Sequence, residues 1–288
     1  MAHLSVLAAE FGEDMPYAGG LARGFPFRGT RVPFLNYQKG IYRARVQSGP
    51  AALSIQTSSK SPYDDEILAD GFLYAYRAGA IDQSDNRALR AAYELQVPLV
   101  YFIGTEPGWY KPVFPVYVSA DDPAARMVTV TPGELVGPID EPAPVPLEDP
   151  IERRYAVRET RVRLHQARFR ARVVPAYSTQ CSICRLKERR LLDAAHILGD
   201  VEGGEPAVTN GLSLCAIHHR AFDQNLVGVS PDYVVHVSRG LREDEDGPML
   251  DLLKGFHEAP LLVPNRVVDR PDREQLEGRF TQFLILTV

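Results

Sequence analysis

Two pairs of metal-binding residues near the middle of the chain restrict its fold more than any other feature of the 288 residues. Cys181-Ser-Ile-Cys184 and Cys215-Ala-Ile-His218 each set two soft ligands three positions apart. That spacing lets both side chains of a pair reach one tetrahedral Zn²⁺, so the pairs predict a single structural zinc site. All three cysteines of the chain fall inside this pattern. An odd number so placed argues against a disulfide framework and for a reducing compartment, by default the cytoplasm. Inside the same stretch, His196 in Asp193-Ala-Ala-His196, Asn210 in Asn210-Gly-Leu, and His219 are left over for chemistry.

The length suits one large domain or two ordinary ones. A hydrophobic content of 45% and a charged content of 24% are those of a soluble globular protein. No run approaches the ~18 apolar residues of a membrane span, and the N-terminus lacks the basic region of a secretory signal. A net charge of −5 counts by itself against a nucleic-acid partner. The charge is unevenly spread, however. Residues 151–190 carry twelve Lys and Arg against three acids, whereas 121–150 carries seven acids and one Arg. Local potential governs phosphate attraction, because screening sets in over ~8 Å at physiological salt.

The pattern along the chain predicts an α+β protein. Residues 131–150, rich in proline and acid and without hydrophobic periodicity, read as an extended linker between a domain at 1–130 and another at 151–288. Upstream, short β-branched and aromatic runs (40–46, 52–58, 72–78, 98–104 and 113–119) predict strands, with one amphipathic helix over 84–96. The N-terminal domain is thus expected to be a mostly-β barrel with a helix against it. Downstream, residues 151–174 read as a basic helix stopped by Pro175. A small zinc-stapled unit follows to about Asn225, then weak strands and a closing helix over 271–283.

The joint pattern CxxC, DAAHI, NGLxLCxxHHxxFD resembles that of HNH nucleases, whose ββα-metal fold cuts DNA with a single divalent ion. The resemblance implies that His196 is the general base, that Asn210 orients the loop carrying it, and that His219 holds a catalytic Mg²⁺, Mn²⁺ or Ni²⁺. Ala195 stands where many of these nucleases have a further ligand. The second ligand is then either Asp193 or Asp223, the latter at i+4 from His219 on the same helical face. Arg168, Arg172, Arg185 and Arg189 are candidate phosphate contacts, although charged helix faces and knuckles are commonly just solvated.

A second resemblance lies upstream. Pro62-Tyr63-Asp64-Asp65, Leu73-Tyr74-Ala75-Tyr76, Asn86-Arg-Ala-Leu89 and Pro98-Leu-Val100 follow the order found in SRA domains of PUA type. Those domains read 5-methylcytosine or 5-hydroxymethylcytosine flipped out of the duplex. The resemblance implies that Tyr63 and Tyr76 are aromatic plates and that Asp64, Asp65 or Glu66, with Asp65 the first choice, accepts from the cytosine amine. Pro62 replaces the family's glycine. Alternation also places Tyr74 and Tyr76 on one strand face, where they could equally serve as core.

Together the halves resemble type IV-like, modification-dependent restriction endonucleases. The expected partner is double-stranded, cytosine-modified DNA, and one catalytic centre per chain suggests a homodimer. The alternatives are an HNH nuclease directed to another modification or DNA structure, and a non-catalytic zinc-stapled DNA-binding protein.

Overall fold

Strand β7 (Leu99–Glu106) is apolar at nearly every position, so it must be covered on both faces. The computed structural model, which describes residues 2–59, 71–136, 143–199, 203–244, 247 and 251–287, shows how. Leu99, Tyr101 and Ile103 enter one core, which helix α2 (Ser84–Leu95) covers through Leu89 and Ala92. Val100 and Phe102 enter a second core with Leu4 and Leu7 of α1 (Ala2–Phe11). Strands β1 (Met15–Pro16), β4 (Ile41–Tyr42), β5 (Ser54–Thr57), β6 (Phe72–Ala75), β8 (Trp109–Asp122), β9 (Met127–Val136) and β10 (Ala143–Pro146) complete an eight-stranded sheet with it. A separate hairpin consists of β2 (Phe25–Phe27) and β3 (Thr30–Val32).

The expected barrel is not closed among the described residues. The sheet runs β10-β9-β8-β7-β5-β4, with β6 also on β9, so β4 and β6 do not share a ladder. Strand β4 pairs over only two residues, too few to offer a second edge. A side chain spans the gap instead: the Tyr74 hydroxyl of β6 lies 2.7 Å from the Gly40 carbonyl and 3.1 Å from that of Gln56. Buried Asn86 explains the Asn-x-Ala-Leu element. Its amide donates to the Arg77 and Ala80 carbonyls and accepts from the Arg77 amide, fastening the turn that starts α2.

The proline-rich segment is not wholly a free linker. Ala143–Pro146 pairs antiparallel with Gly133–Val136 at the sheet edge. Prolines are tolerated there because an edge strand leaves one row of N–H groups unused. Two compact units, Met1–Leu164 and His165–Val288, divide inside the long helix α3 (Pro150–Ala176). Pro175 does not stop that helix. It sits in the last turn, and the helix ends one residue later.

The second unit holds β11 (Leu192–His196), β12 (Gly211–Cys215), α4 (Ala216–Asp223), the hairpin β13 (Val227–Val229) and β14 (Val235–Val237), and helices α5 (Arg239–Glu243), α6 (Asp251–Lys254) and α7 (Arg273–Thr287). Asp272 caps α7 by accepting from the Gln275 amide at 3.0 Å. No helix among the described residues is long and apolar enough to cross a membrane.

Candidate functional site

Strands β11 and β12 pair with His196 opposite Gly211 and Leu192 opposite Cys215. One short ladder therefore separates two centres by about 14 Å, four residues at the rise of a strand. Helix α4 follows Cys215 directly, so its first turn carries His218 and His219 away from the ladder on different faces.

At the Cys215 end, Cys181, Cys184, Cys215 and His218 bring their ligand atoms within 4.8 Å of one another and could hold a metal ion. His218 Nδ1 lies 3.0 Å from Cys215 Sγ and 3.7 Å from Cys181 Sγ. Its Nε2 lies 3.1 Å from the Leu252 carbonyl, which takes the N–H and leaves Nδ1 as the free donor for a metal. The thiols cannot all ionise unaided. The bond shared with Cys181, then burial, pushes Cys215 up to about 11, and burial raises Cys184. Cys181, which accepts that bond, is lowered. A dication among them removes the conflict, so the donor set fits a thiophilic metal.

At the His196 end, the imidazole lies flat on Phe169 of α3, with ring centroids 3.9 Å apart and planes 13° from parallel. The glycine of the Asn-Gly motif makes room for that plate. A Cβ on Gly211 would meet Val173 at 2.5 Å and Phe169 at 2.8 Å. Arg170, the next residue of α3, donates to the Leu192 carbonyl at 2.8 Å and the Arg189 carbonyl at 2.7 Å, anchoring the entry to β11. Gly211→Ala is expected to destabilise the unit by about 1–3 kcal/mol through overpacking. A denaturation midpoint equal to the parent's would refute that account of Gly211.

Asn210 is 1% exposed and spends its whole amide on one loop. It accepts from the Leu198 amide at 2.9 Å and donates to the carbonyls of Leu198 at 3.0 Å and Glu205 at 2.9 Å. The chain immediately after His196 is thereby held on both sides. His219 lies between two carboxylates: Nδ1 is 3.7 Å from Asp193 Oδ2 and Nε2 is 3.5 Å from Asp223 Oδ2. His196, His219, Asp193 and Asp223 all line one groove of about 580 Å³. The structure thus brings His196, His219, Asp193 and Asp223 together, with Asn210 behind them.

Three residues of that groove have no local sequence signal: Gln166 on α3, and Arg279 and Gln282 on α7. Arg279 donates to the Phe222 carbonyl at 2.8 Å and to Asn225 Oδ1, and lies 4.9 Å over the Phe222 ring. It therefore ties α7 to the end of α4, next to Asp223.

The other expected site residues are placed differently. Tyr63, Asp64, Asp65 and Glu66 lie outside the described residues. Tyr76 is not an open plate. It is 5% exposed within the α2-facing core, and its hydroxyl donates to Asp121 at 2.5 Å. Burial, then Asp121, raises the Tyr76 phenol above its ordinary range. Among the arginines, Arg172 and Arg185 are exposed and Arg168 and Arg189 half-buried. Burial and the neighbouring charge of Arg172 hold Arg168 below its ordinary range.

Residues 181–230 match the family model described as HNH endonuclease. The chain is also similar to a solved structure titled "Modification dependent TagI restriction endonuclease", with a TM-score of 0.34, 19% sequence identity, and 86% of each chain covered. No curated protein matches it. The stretch 181–230, which carries the Cys3His cluster together with His196, Asn210 and His219, is therefore an HNH endonuclease domain, and the chain that carries it is a DNA-cleaving hydrolase.

Proposed function

We propose that this chain is a modification-dependent, type IV-like restriction endonuclease of SRA–HNH architecture, acting on cytosine-modified duplex DNA in the cytoplasm as a homodimer. The convergence of His196 with the Asp193–His219–Asp223 cluster in one groove carries the nuclease half of this reading. His196 takes the proton from the water that attacks phosphorus. An imidazole suits that task because its neutral form offers a lone pair to the water's proton. The Phe169 plate and the Asn210 clamp hold the ring and its loop, so the base is positioned before substrate arrives.

A ring nitrogen of His219 and one flanking carboxylate, Asp193 or Asp223, would hold the catalytic ion. The other carboxylate receives the second ring N–H and orients the imidazole. Mg²⁺, Mn²⁺ or Ni²⁺ bound there would supply Lewis-acid stabilisation of charge on the phosphate and on the leaving 3′-oxygen. Zn²⁺ in the Cys3His cluster would act only as a brace. Arg168 and Arg172, one turn apart on α3, are two like charges well suited to a shared phosphate oxygen.

For the reader half, support comes from the order of the sequence elements in the N-terminal unit. There, 5-methylcytosine or 5-hydroxymethylcytosine is flipped from the duplex and received by Tyr63, with Asp64 or Asp65 facing its amine. Tyr76 lies in the core that α2 covers and is not one of the plates. The test is cleavage of one plasmid in cytosine-methylated, hydroxymethylated and unmodified forms with Mg²⁺ or Mn²⁺. At least about tenfold faster cutting of a modified form is expected, the scale of a small apolar niche. Equal rates on all three would remove the reader and leave the nuclease.

A further inference from the structure

From Met15 to Tyr63 the sequence contains seven Lys and Arg and not one acid, in a chain that has 37 acids in all. The fold gathers four of these cations. A groove of about 670 Å³ runs between β3 and the β4 segment, and Arg31, Lys39, Arg43 and Arg45 line it together with Tyr42. Among the described residues the groove has one acid, Asp85 of the first turn of α2, which is already engaged by Lys39 at 3.2 Å and by Arg77. Arg43 shapes the groove: its guanidinium donates to the carbonyls of Gly49 at 2.9 Å and Gln47 at 3.3 Å. Arg31 and Arg45 are exposed, and among the described residues no hydrogen bond or ion pair holds either head group.

The β2–β3 hairpin beside the groove is unusual in the same direction. Among the described residues it pairs with no other strand, and it is held to the body by Phe25 and buried Val32. Its tip is the two-residue turn Arg28-Gly29, with φ of 47° and 74°. Such a turn matches the twist of the flanking strands. The tip presents Phe27, 41% exposed, with the Arg28 guanidinium 5.3 Å over its ring. Guanidinium groups along a groove whose described acid is already paired with Lys39 and Arg77 are complementary to successive phosphates, because each fork can take two phosphate oxygens.

We propose that the groove between β3 and β4, with the β2–β3 tip at its rim, is where the N-terminal unit grips the phosphodiester backbone of duplex DNA. This rests on the nuclease reading for the identity of the polyanion. It assigns the grip to residues 28–45, a stretch separate from the basic arginines of α3 and the zinc knuckle. The grip is independent of base identity, since backbone contacts position a protein and carry no sequence information. It should therefore act equally on modified and unmodified DNA.

The test compares the full-length parent with two double variants, Arg31→Ala with Arg45→Ala and Arg154→Ala with Arg158→Ala. Both remove two positive charges, the second from α3 of the same unit. Binding to a labelled, unmodified duplex is measured by fluorescence anisotropy without divalent metal, over roughly 50–200 mM salt. The groove variant is expected to lower the slope of log K against log salt by about 2 and to weaken binding by about tenfold or more. The α3 variant should change both much less. Equal changes in the two variants, or none in the groove variant, would overturn the proposal. A parent that binds no duplex would overturn it along with the nuclease reading, whereas an unaffected groove variant of a parent that binds removes the groove alone. Should the alanine pair fail to fold, Arg31→Gln with Arg45→Gln carries the same test.

Discussion

His196→Ala is expected to lower DNA cleavage at saturating substrate by about 10²–10⁴-fold, the range over which a positioned general base contributes. Duplex affinity should stay near the parent's, because the imidazole makes its contribution to the attacking water and the grip lies elsewhere. The fold should also survive. His196 is half-buried at the end of β11, and its removal leaves the Asn210 clamp and the Phe169–Val173 packing on Gly211 in place. Three readouts separate a base from a merely structural histidine. The rate of the parent should fall toward low pH, because a protonated imidazole has no lone pair left to take the water's proton. The variant should lose that limb, and added imidazole should restore part of the rate. A variant that cuts at the parent's rate would end the assignment of His196.

How much of this was legible in the sequence depends on how local each feature is. Cys181, Cys184, Cys215 and His218 are readable because a spacing of three positions by itself nearly fixes where two ligands point. Asn210 and Gly211 are readable as a motif, but not the reason for the glycine. That lies 38 to 42 residues upstream, in the Val173 and Phe169 side chains that fill the space a Cβ would need. Asp193 and Asp223 both reach His219 because one precedes it across a ladder and the other follows it by a helical turn. The sequence leaves both open, and the geometry places them on opposite ring nitrogens. Arg279 and Gln282 carry no signal at all, since nothing short of the packing of α7 brings them to the groove.

The misreadings have physical causes too. Residues 143–146 look like linker because their prolines and the surrounding acids hide an edge strand. Tyr76 looks like a plate because strand alternation exposes one face without saying what covers it, and α2 does. A barrel is suggested by many short strands. Whether the sheet closes depends on β4 and β6, which share no ladder among the described residues and between which the Tyr74 hydroxyl makes the link.

The second large effect concerns the Cys3His cluster. Removing its metal is expected to abolish the cooperative unfolding of residues 165–288 and, with it, all cleavage. The second unit has a core of its own around Phe169, Leu212, Leu214 and Phe222, but Cys181 and Cys215 are part of that core. Without a cation, the cluster is left with buried thiols, one of them pushed up to about 11, packed around an imidazole whose other nitrogen is already committed to Leu252. Binding of a structural zinc to such a donor set is worth on the order of 10–16 kcal/mol in small domains, which is comparable to or larger than the whole stability of an ordinary domain. The ladder transmits the loss. Cys215 and His196 lie at opposite ends of the β11–β12 pair, so fraying at the thiolate end loosens the strand that aims the base. Elemental analysis of the purified chain should find one zinc per molecule. A thiophilic chelator should eliminate the near-ultraviolet circular dichroism of the second unit, and added Mg²⁺ alone should not restore cutting, whereas Zn²⁺ followed by Mg²⁺ should. Cys215→Ser should behave like the stripped protein. A metal-free chain that still unfolds cooperatively and cuts DNA with Mg²⁺ would show that the cluster is no brace, because packing alone would then suffice to hold His196 and His219 in place.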